Sequence, residues 1–169
     1  MQNLGDIHKR IQKAEDEIRS DSHECGILFD KAGTIIWKKQ GEKSRISFTE
    51  QEIQSMCGSI LTHNHPNMSP PSPDDVFMLW RGQLCELRSC NEYGSYVMRA
   101  PQRWTRQMES LERIQDQFWS MDKEIGLLYR DIAIFEGRHI IDYLDDIQEE
   151  AIRALCGEYG VIFEWEARP

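Results

Sequence analysis

Apolar residues recur along the chain in two different periods, and the switches between them divide it into elements. Leu4, Ile7, Ile11, Ala14 and Ile18 fall at three- and four-residue spacing, the stripe of an amphipathic helix packed on a core. Cys25 to Asp30 and Thr34 to Trp37 are short apolar runs. Between them Asp30-Lys31-Ala32-Gly33 is a turn signal, which makes the pair a hairpin. Arg45-Ile46-Ser47-Phe48 reads as a third strand. Thr49-Glu50-Gln51-Glu52 is a capping box that opens a helix with Ile53, Met56 and Cys57 on one face, and Gly58 ends it. Ser59-Ile60-Leu61-Thr62 then reads as a buried strand. Ser72 predicts an N-cap with Pro73 at the first helical position. Val76, Phe77, Leu79 and Trp80 continue that helix to Gly82. Cys85 to Cys90 and Ser95 to Arg99 follow as strands joined by a turn at Asn91-Glu92-Tyr93-Gly94.

From Pro101 the pattern becomes helical and highly charged. Trp104, Met108, Leu111, Ile114 and Phe118, then Ile125, Leu128, Ile132 and Phe135, predict two long helices or one with a break near Gly126 or Gly137. Ala151 to Glu158 predicts a further helical stretch ended by Gly157 or Gly160, and Val161-Ile162-Phe163-Glu164-Trp165 a last strand that can join a sheet edge. Pattern alone gives an α/β or α+β fold, a mixed β-sheet flanked by helices. Residues 1–100 read as one domain led by the N-terminal helix, and residues 101–169 as a helical extension with a final short strand. The extension is expected to fold back as a helical pair on itself and the domain. Its apolar stripes, if left uncovered, would serve self-association or a protein partner.

The 169 residues suffice to bury a core. With 29 acidic against 20 basic residues the net charge is −9, which argues against direct nucleic-acid binding. Arg103, Arg106, Arg113 and Arg130 read as solvated helix faces. The five cysteines, Cys25, Cys57, Cys85, Cys90 and Cys156, show no Cys-x-x-Cys spacing and read as reduced thiols. Neither a signal-peptide core nor a membrane-length apolar stretch is visible, so a cytoplasmic protein without membrane contact is expected.

Candidate chemistry is concentrated between residues 62 and 75. In Thr62-His63-Asn64-His65-Pro66 the two histidines, at i and i+2 on a strand, share one face. Ser72-Pro73-Asp74-Asp75 places a carboxylate in the first turn of the next helix, at loop distance from that strand end. Two imidazoles and a carboxylate leave a fourth tetrahedral position for water, the arrangement of a catalytic zinc site. The plainer alternative is a strand–loop–helix corner whose histidines only hydrogen-bond, with Ser72 and Asp75 acting as a capping box. If such a site forms it needs a general base, for which the chain offers Glu24 in His23-Glu24-Cys25-Gly26-Ile27-Leu28-Phe29; the plainer reading of Glu24 is an exposed residue at the end of the first helix. Glu42, Glu50 and Glu52 are weaker substitutes. His139 reads as a surface or packing residue, and His23 as a helix-end residue next to the base.

His63-x-His65-Pro66 with Ser72-x-x-Asp75 resembles the JAB/MPN/JAMM zinc metallopeptidases, whose pattern is a Glu on an early strand, then His-x-His-Pro, then Ser-x-x-Asp. The Asn between the histidines and the Pro-rich loop are closest to the bacterial DNA-repair-associated branch and to JAB-like domains of phage origin. The resemblance covers roughly residues 20–100. It implies a β-sheet flanked by helices, a zinc ion held by His63, His65 and Asp75, Glu24 as the base, and Ser72 as a stabiliser of the tetrahedral oxyanion. One departure is the loop from His65 to Ser72, a residue shorter than in the commonest form, which makes Asp74 a rival to Asp75.

The expected function is accordingly a zinc-dependent hydrolase of peptide or isopeptide bonds acting on a peptide or protein conjugate. One alternative is a catalytically silent JAB-like scaffold. The other is a metal-dependent nuclease or DNA-repair-associated protein, which the negative charge opposes.

Overall fold

The computed structural model of the chain describes residues 4–168. The N-terminal stripe folds as α1 (Leu4–Ile18), and the hairpin as β1 (Cys25–Phe29) and β2 (Ile35–Gln40). Asp30 builds the turn, its Oδ1 accepting from the backbone N–H groups of Ala32 and Thr34, each at 2.8 Å. Gly33 completes it at φ 74°, a left-handed conformation that a residue without Cβ adopts readily. Next come α2 (Glu50–Ser55), β3 (Ile60–Asn64), α3 (Pro73–Arg81), β4 (Glu86–Cys90) and β5 (Gly94–Arg99). Both helices open on the capping boxes expected at Thr49 and Ser72. The chain continues through α4 (Leu111–Glu136), a 3₁₀ turn at Ile140–Tyr143, α5 (Leu144–Tyr159) and β6 (Ile162–Ala167).

The strands form a single mixed sheet in the order β2-β1-β3-β4-β5-β6. Only β3 and β4 run parallel. A parallel pair needs a crossover connection. Here α3 supplies it, starting just past the end of β3 where the histidines lie.

Alternate strand positions part to two sides of the sheet. Ile27 and Phe29 meet Ile7, Ile11, Ala14 and Ile18 of α1. Leu28, Leu61, Leu87 and Met98 enter the main core with Val76 and Leu79 of α3, Ile114 and Phe118 of α4, and Ile152 and Leu155 of α5. Residues beyond 101 therefore contribute to the same core as the first hundred, and β6 extends the sheet at the β5 edge. Past this packed end, α4 leaves Leu128, Ile134 and Phe135 in solvent, Phe135 at 92 % exposure.

The α1 side also buries charge. Glu15 is fully buried and accepts hydrogen bonds from Thr62 Oγ1 (3.0 Å), Arg88 Nε (2.6 Å), Arg19 Nη2 (3.1 Å) and Ser95 Oγ (2.8 Å). Arg88 reaches on to Glu86 and Glu166, so one network ties α1 to β3, β4, β5 and β6.

Three boundaries differ from expectation. Arg45–Phe48 forms no strand: Ile46 packs against Gly26 and Phe48 against Trp37, ring centroids 5.7 Å apart. Its alternation covers the β1–β2 hairpin instead of extending the sheet. Gly126 does not break α4, which runs unbroken to Glu136 and stops where Gly137 takes φ 67°. The last helix starts at Leu144, well before Ala151, because Tyr143 and Ile147 pack with Ala133 of α4. Among the described residues no helix is long and apolar enough to cross a membrane.

Candidate metal centre

Strand β3 sets the histidines. His63 pairs in register with Gly26 of β1 and Ser89 of β4, and His65, one residue past the strand, still donates its N–H to the Cys90 carbonyl at 2.9 Å. The strand geometry thus continues long enough to keep both side chains on one face. A tight turn follows, closed by Met68 N–H on the His65 carbonyl at 2.9 Å, with Met68 at φ 60°. It delivers the chain to Ser72, the N-cap of α3.

Capping is what aims Asp75. Its Oδ2 accepts from the Ser72 backbone N–H (2.7 Å) and the Ser72 hydroxyl (2.8 Å). Its Oδ1 lies 3.2 Å from His63 Nε2, while Oδ2 lies 3.7 Å from His65 Nε2. The two Nε2 atoms are 2.9 Å apart. Donors around a tetrahedral zinc with bonds of about 2.0–2.1 Å sit roughly 3.3 Å from one another. The observed separations bracket that value, so the donor set fits such an ion. Among the described residues this is the one group of three side chains able to hold a metal. Asp74 lines the same cleft but stands outside the donor cluster, its Oδ1 accepting from Gln115 Nε2 of α4 at 2.9 Å.

Tautomer and charge are also set. His65 Nδ1 donates to the Ser69 carbonyl at 2.9 Å, which leaves Nε2 as the lone-pair donor. Burial and the neighbouring His63 both push the His65 pKa down. Burial opposes a charged His63 as well, yet Asp75 and Glu24 outweigh it and hold that pKa above the ordinary imidazole value. Burial likewise works against the Asp75 carboxylate, but the two histidines and Ser72 outweigh it and keep the group far below the usual carboxylate range. Among the described residues His63 Nδ1, which is buried, meets no partner at hydrogen-bond geometry, although the Arg88 backbone is near enough to favour a proton there.

Glu24 precedes β1 and lines the same cleft as His63, His65, Ser72 and Asp75, a space of about 650 Å³. Burial raises its pKa, with His63 acting against and Asp75 with that shift. Arg45, Phe48, Phe77 and Gln115 form other parts of the wall. A second cleft of about 640 Å³, lined by Trp80, Cys85 and Trp104, holds none of these donors.

The other candidates stand apart from the cluster. Glu52 binds Lys39, Glu50 binds Arg81, and Glu42 is exposed. His139 is exposed, and His23 contacts Ser22. Two participants are not apparent from the sequence pattern. Gln115 comes from the C-terminal half, where no motif marks it. Asn64 is fully buried on the opposite side of β3 from the histidines and binds backbone atoms of residues 21–25. An Asn inside a buried strand run is itself the signal, since such a side chain must find partners.

Compared with family models, curated proteins and solved structures, the chain finds no match in any of the three.

Proposed function

We propose that this protein is a zinc-dependent hydrolase of peptide or isopeptide bonds. The observation that carries the reading is the convergence of His63, His65 and Asp75 in a cleft whose wall includes Glu24. The likeness of these residues to the JAB/MPN/JAMM pattern supports it. Bound by the three side chains, zinc would supply Lewis acidity, making a water molecule reactive near neutral pH.

The remaining work belongs to the chain's own groups. Glu24, with its pKa raised by burial, takes a proton from the attacking water and returns it to the leaving amine. Ser72 holds Asp75 through its hydroxyl and N–H, and lies on the cleft wall where an oxyanion develops. The apolar rings of Phe48 and Phe77 exclude water around the reacting carbonyl.

Metal analysis of the purified chain, followed by hydrolysis of a quenched fluorescent peptide mixture, tests the reading. About one zinc per chain is expected, lost in a His63→Ala, His65→Ala double variant. Glu24→Gln should keep its zinc and fold yet lose roughly a hundredfold or more in rate. Full metal content in the double variant would sink the ligand assignment. A zinc-loaded wild type without hydrolysis would favour the silent scaffold.

A further inference from the structure

The Glu24 carboxylate has no hydrogen-bond partner among the described residues; the attraction of His63 and repulsion of Asp75 act on it, but no directional bond fixes where it points. Its position must come from the backbone, and the backbone is held on both sides. Glu24 N–H donates to the Glu42 carbonyl at 2.8 Å, and Gly41 N–H donates to the Glu24 carbonyl at 2.7 Å. The opposite ends of the same two peptide groups, Cys25 N–H and the His23 carbonyl, turn the other way onto a single side chain, as does the Asp21 carbonyl. Asn64 Oδ1 accepts from Cys25 N–H at 2.6 Å, and Asn64 Nδ2 donates to the carbonyls of His23 and Asp21, each at 3.1 Å.

Asn64 sits between His63 and His65 on β3, and side chains alternate along a strand. The histidines take the cleft side, so Asn64 is directed to the opposite one, where residues 21–25 enter β1. One short strand therefore carries ligands on one face and the clamp for the base segment on the other. A buried amide with its acceptor and both donors engaged has no rotational freedom left, and an aliphatic residue would strand three backbone groups there.

We propose that Asn64 is a positioning residue that registers Glu24 against the metal ligands by clamping the backbone on either side of it. This rests on the reading of Glu24 as the base. It assigns a catalytic consequence to a residue that touches neither substrate nor metal. Displacing a base by even an ångström lowers turnover by as much as about a hundredfold while leaving ground-state binding alone.

The test compares full-length wild type with Asn64→Ala by zinc titration, by amide hydrogen exchange of the zinc-loaded chain, and by kcat and KM on the quenched fluorescent peptide mixture. The expected result has three parts. Zinc affinity stays within about threefold of wild type, because the ligand side of β3 is untouched. The Cys25 and Glu24 amides exchange roughly tenfold faster or more while the Leu28 amide in mid-strand does not, which marks a local rather than a global opening. Finally, kcat falls by about ten- to a hundredfold with KM unchanged.

Unchanged Cys25 exchange, or a kcat loss no larger than the loss of zinc, would overturn the proposal. Should Asn64→Ala fail to fold, Asn64→Asp takes its place. It keeps the acceptor for Cys25 and sets an oxygen against the carbonyls of His23 and Asp21. Protection at Cys25 with faster exchange at Glu24 is then expected, and unchanged exchange at Glu24 with wild-type kcat defeats the idea. If wild type hydrolyses nothing, the reading of the base has failed separately, and the exchange comparison alone decides whether Asn64 holds the segment.

Discussion

At the scale of single residues, Asp74 and Asp75 are neighbours of the same charge with different partners. Asp75 meets both histidines, whereas Asp74 meets Gln115. Asp75→Asn is expected to weaken zinc binding by more than the roughly 10–100-fold typical of groups that only hydrogen-bond a ligand. Asp74→Asn should cost at most a modest helix-dipole effect. Competition against a zinc chelator reads both, and metal release by the Asp74 variant would shift the ligand by one residue. Protons set a second expectation. Because the His63 pKa is raised, acid competes with the metal, and zinc affinity should fall roughly tenfold per pH unit below that pKa. The metal-free protein behaves oppositely. His63 then adds stability that is fully present below its unfolded pKa of about 6.5 and lost as pH rises through the higher folded value. Asp75, with its pKa lowered, adds stability present above about 3.9 and lost as pH falls through its folded value. His65, whose pKa is lowered, costs stability as pH falls below its unfolded value of about 6.5, so urea midpoints with and without zinc should slope in opposite directions only above about pH 6.5. The convergence of His63, His65 and Asp75 was legible because strand alternation and a helix cap are local rules. That Asn64 needs partners is legible too, from an amide in a buried run, but which groups it holds is not, since they are backbone atoms of an earlier segment and carry no residue-type signal.

At the scale of elements, α1 does more than offer an apolar stripe. Glu15 lies beside Ala14 on the buried face and neutralises Arg88 and Arg19 where solvent cannot. Removing one partner of a buried ion pair leaves an uncompensated charge and costs about 3–5 kcal/mol. Glu15→Ala should lose stability of that order in urea unfolding, while Glu17→Ala, at the solvent-screened Lys38 pair, should leave the urea midpoint close to wild type. Equal effects would show that the network is dispensable. Apolar periodicity found α1, both capping boxes and the β1–β2 turn, because each is encoded within a few residues. It could not find the burial of Glu15, which depends on Arg88 from β4. It also misread Arg45–Phe48, whose alternation is that of a strand although its apolar side chains lie over β1 and β2.

At the scale of the whole molecule, the chain is divided by sequence character at Pro101 but not by packing. Ile114, Phe118, Ile152 and Leu155 are each 4 % exposed or less in the cluster that contains Leu28, Leu61 and Leu87. Ending the chain after Pro101 would uncover that cluster and strip β6 from the sheet edge. The fragment should be insoluble or molten, with near-ultraviolet circular dichroism lost and dye-binding apolar surface gained. A soluble, zinc-binding fragment with sharp tertiary signals would show that the helices are separable. Helical period in this half was plain from its stripes. Which turns of α4 reach the core was not, because burial is decided by the sheet beneath and not by the stripe.

The order in which the site's parts come together follows from where they lie along the chain. His63, His65 and Asp75 are joined by one turn and one helix cap, whereas Glu24 arrives only through the pairing of β1 with β3 and the grip of Asn64. Closing the short segment loses little chain entropy, and the long one more. On the proposed reading, a nascent or partly unfolded chain can thus capture a cation before it possesses a base. The sheet would then act as the interlock that withholds reactivity until the protein is whole.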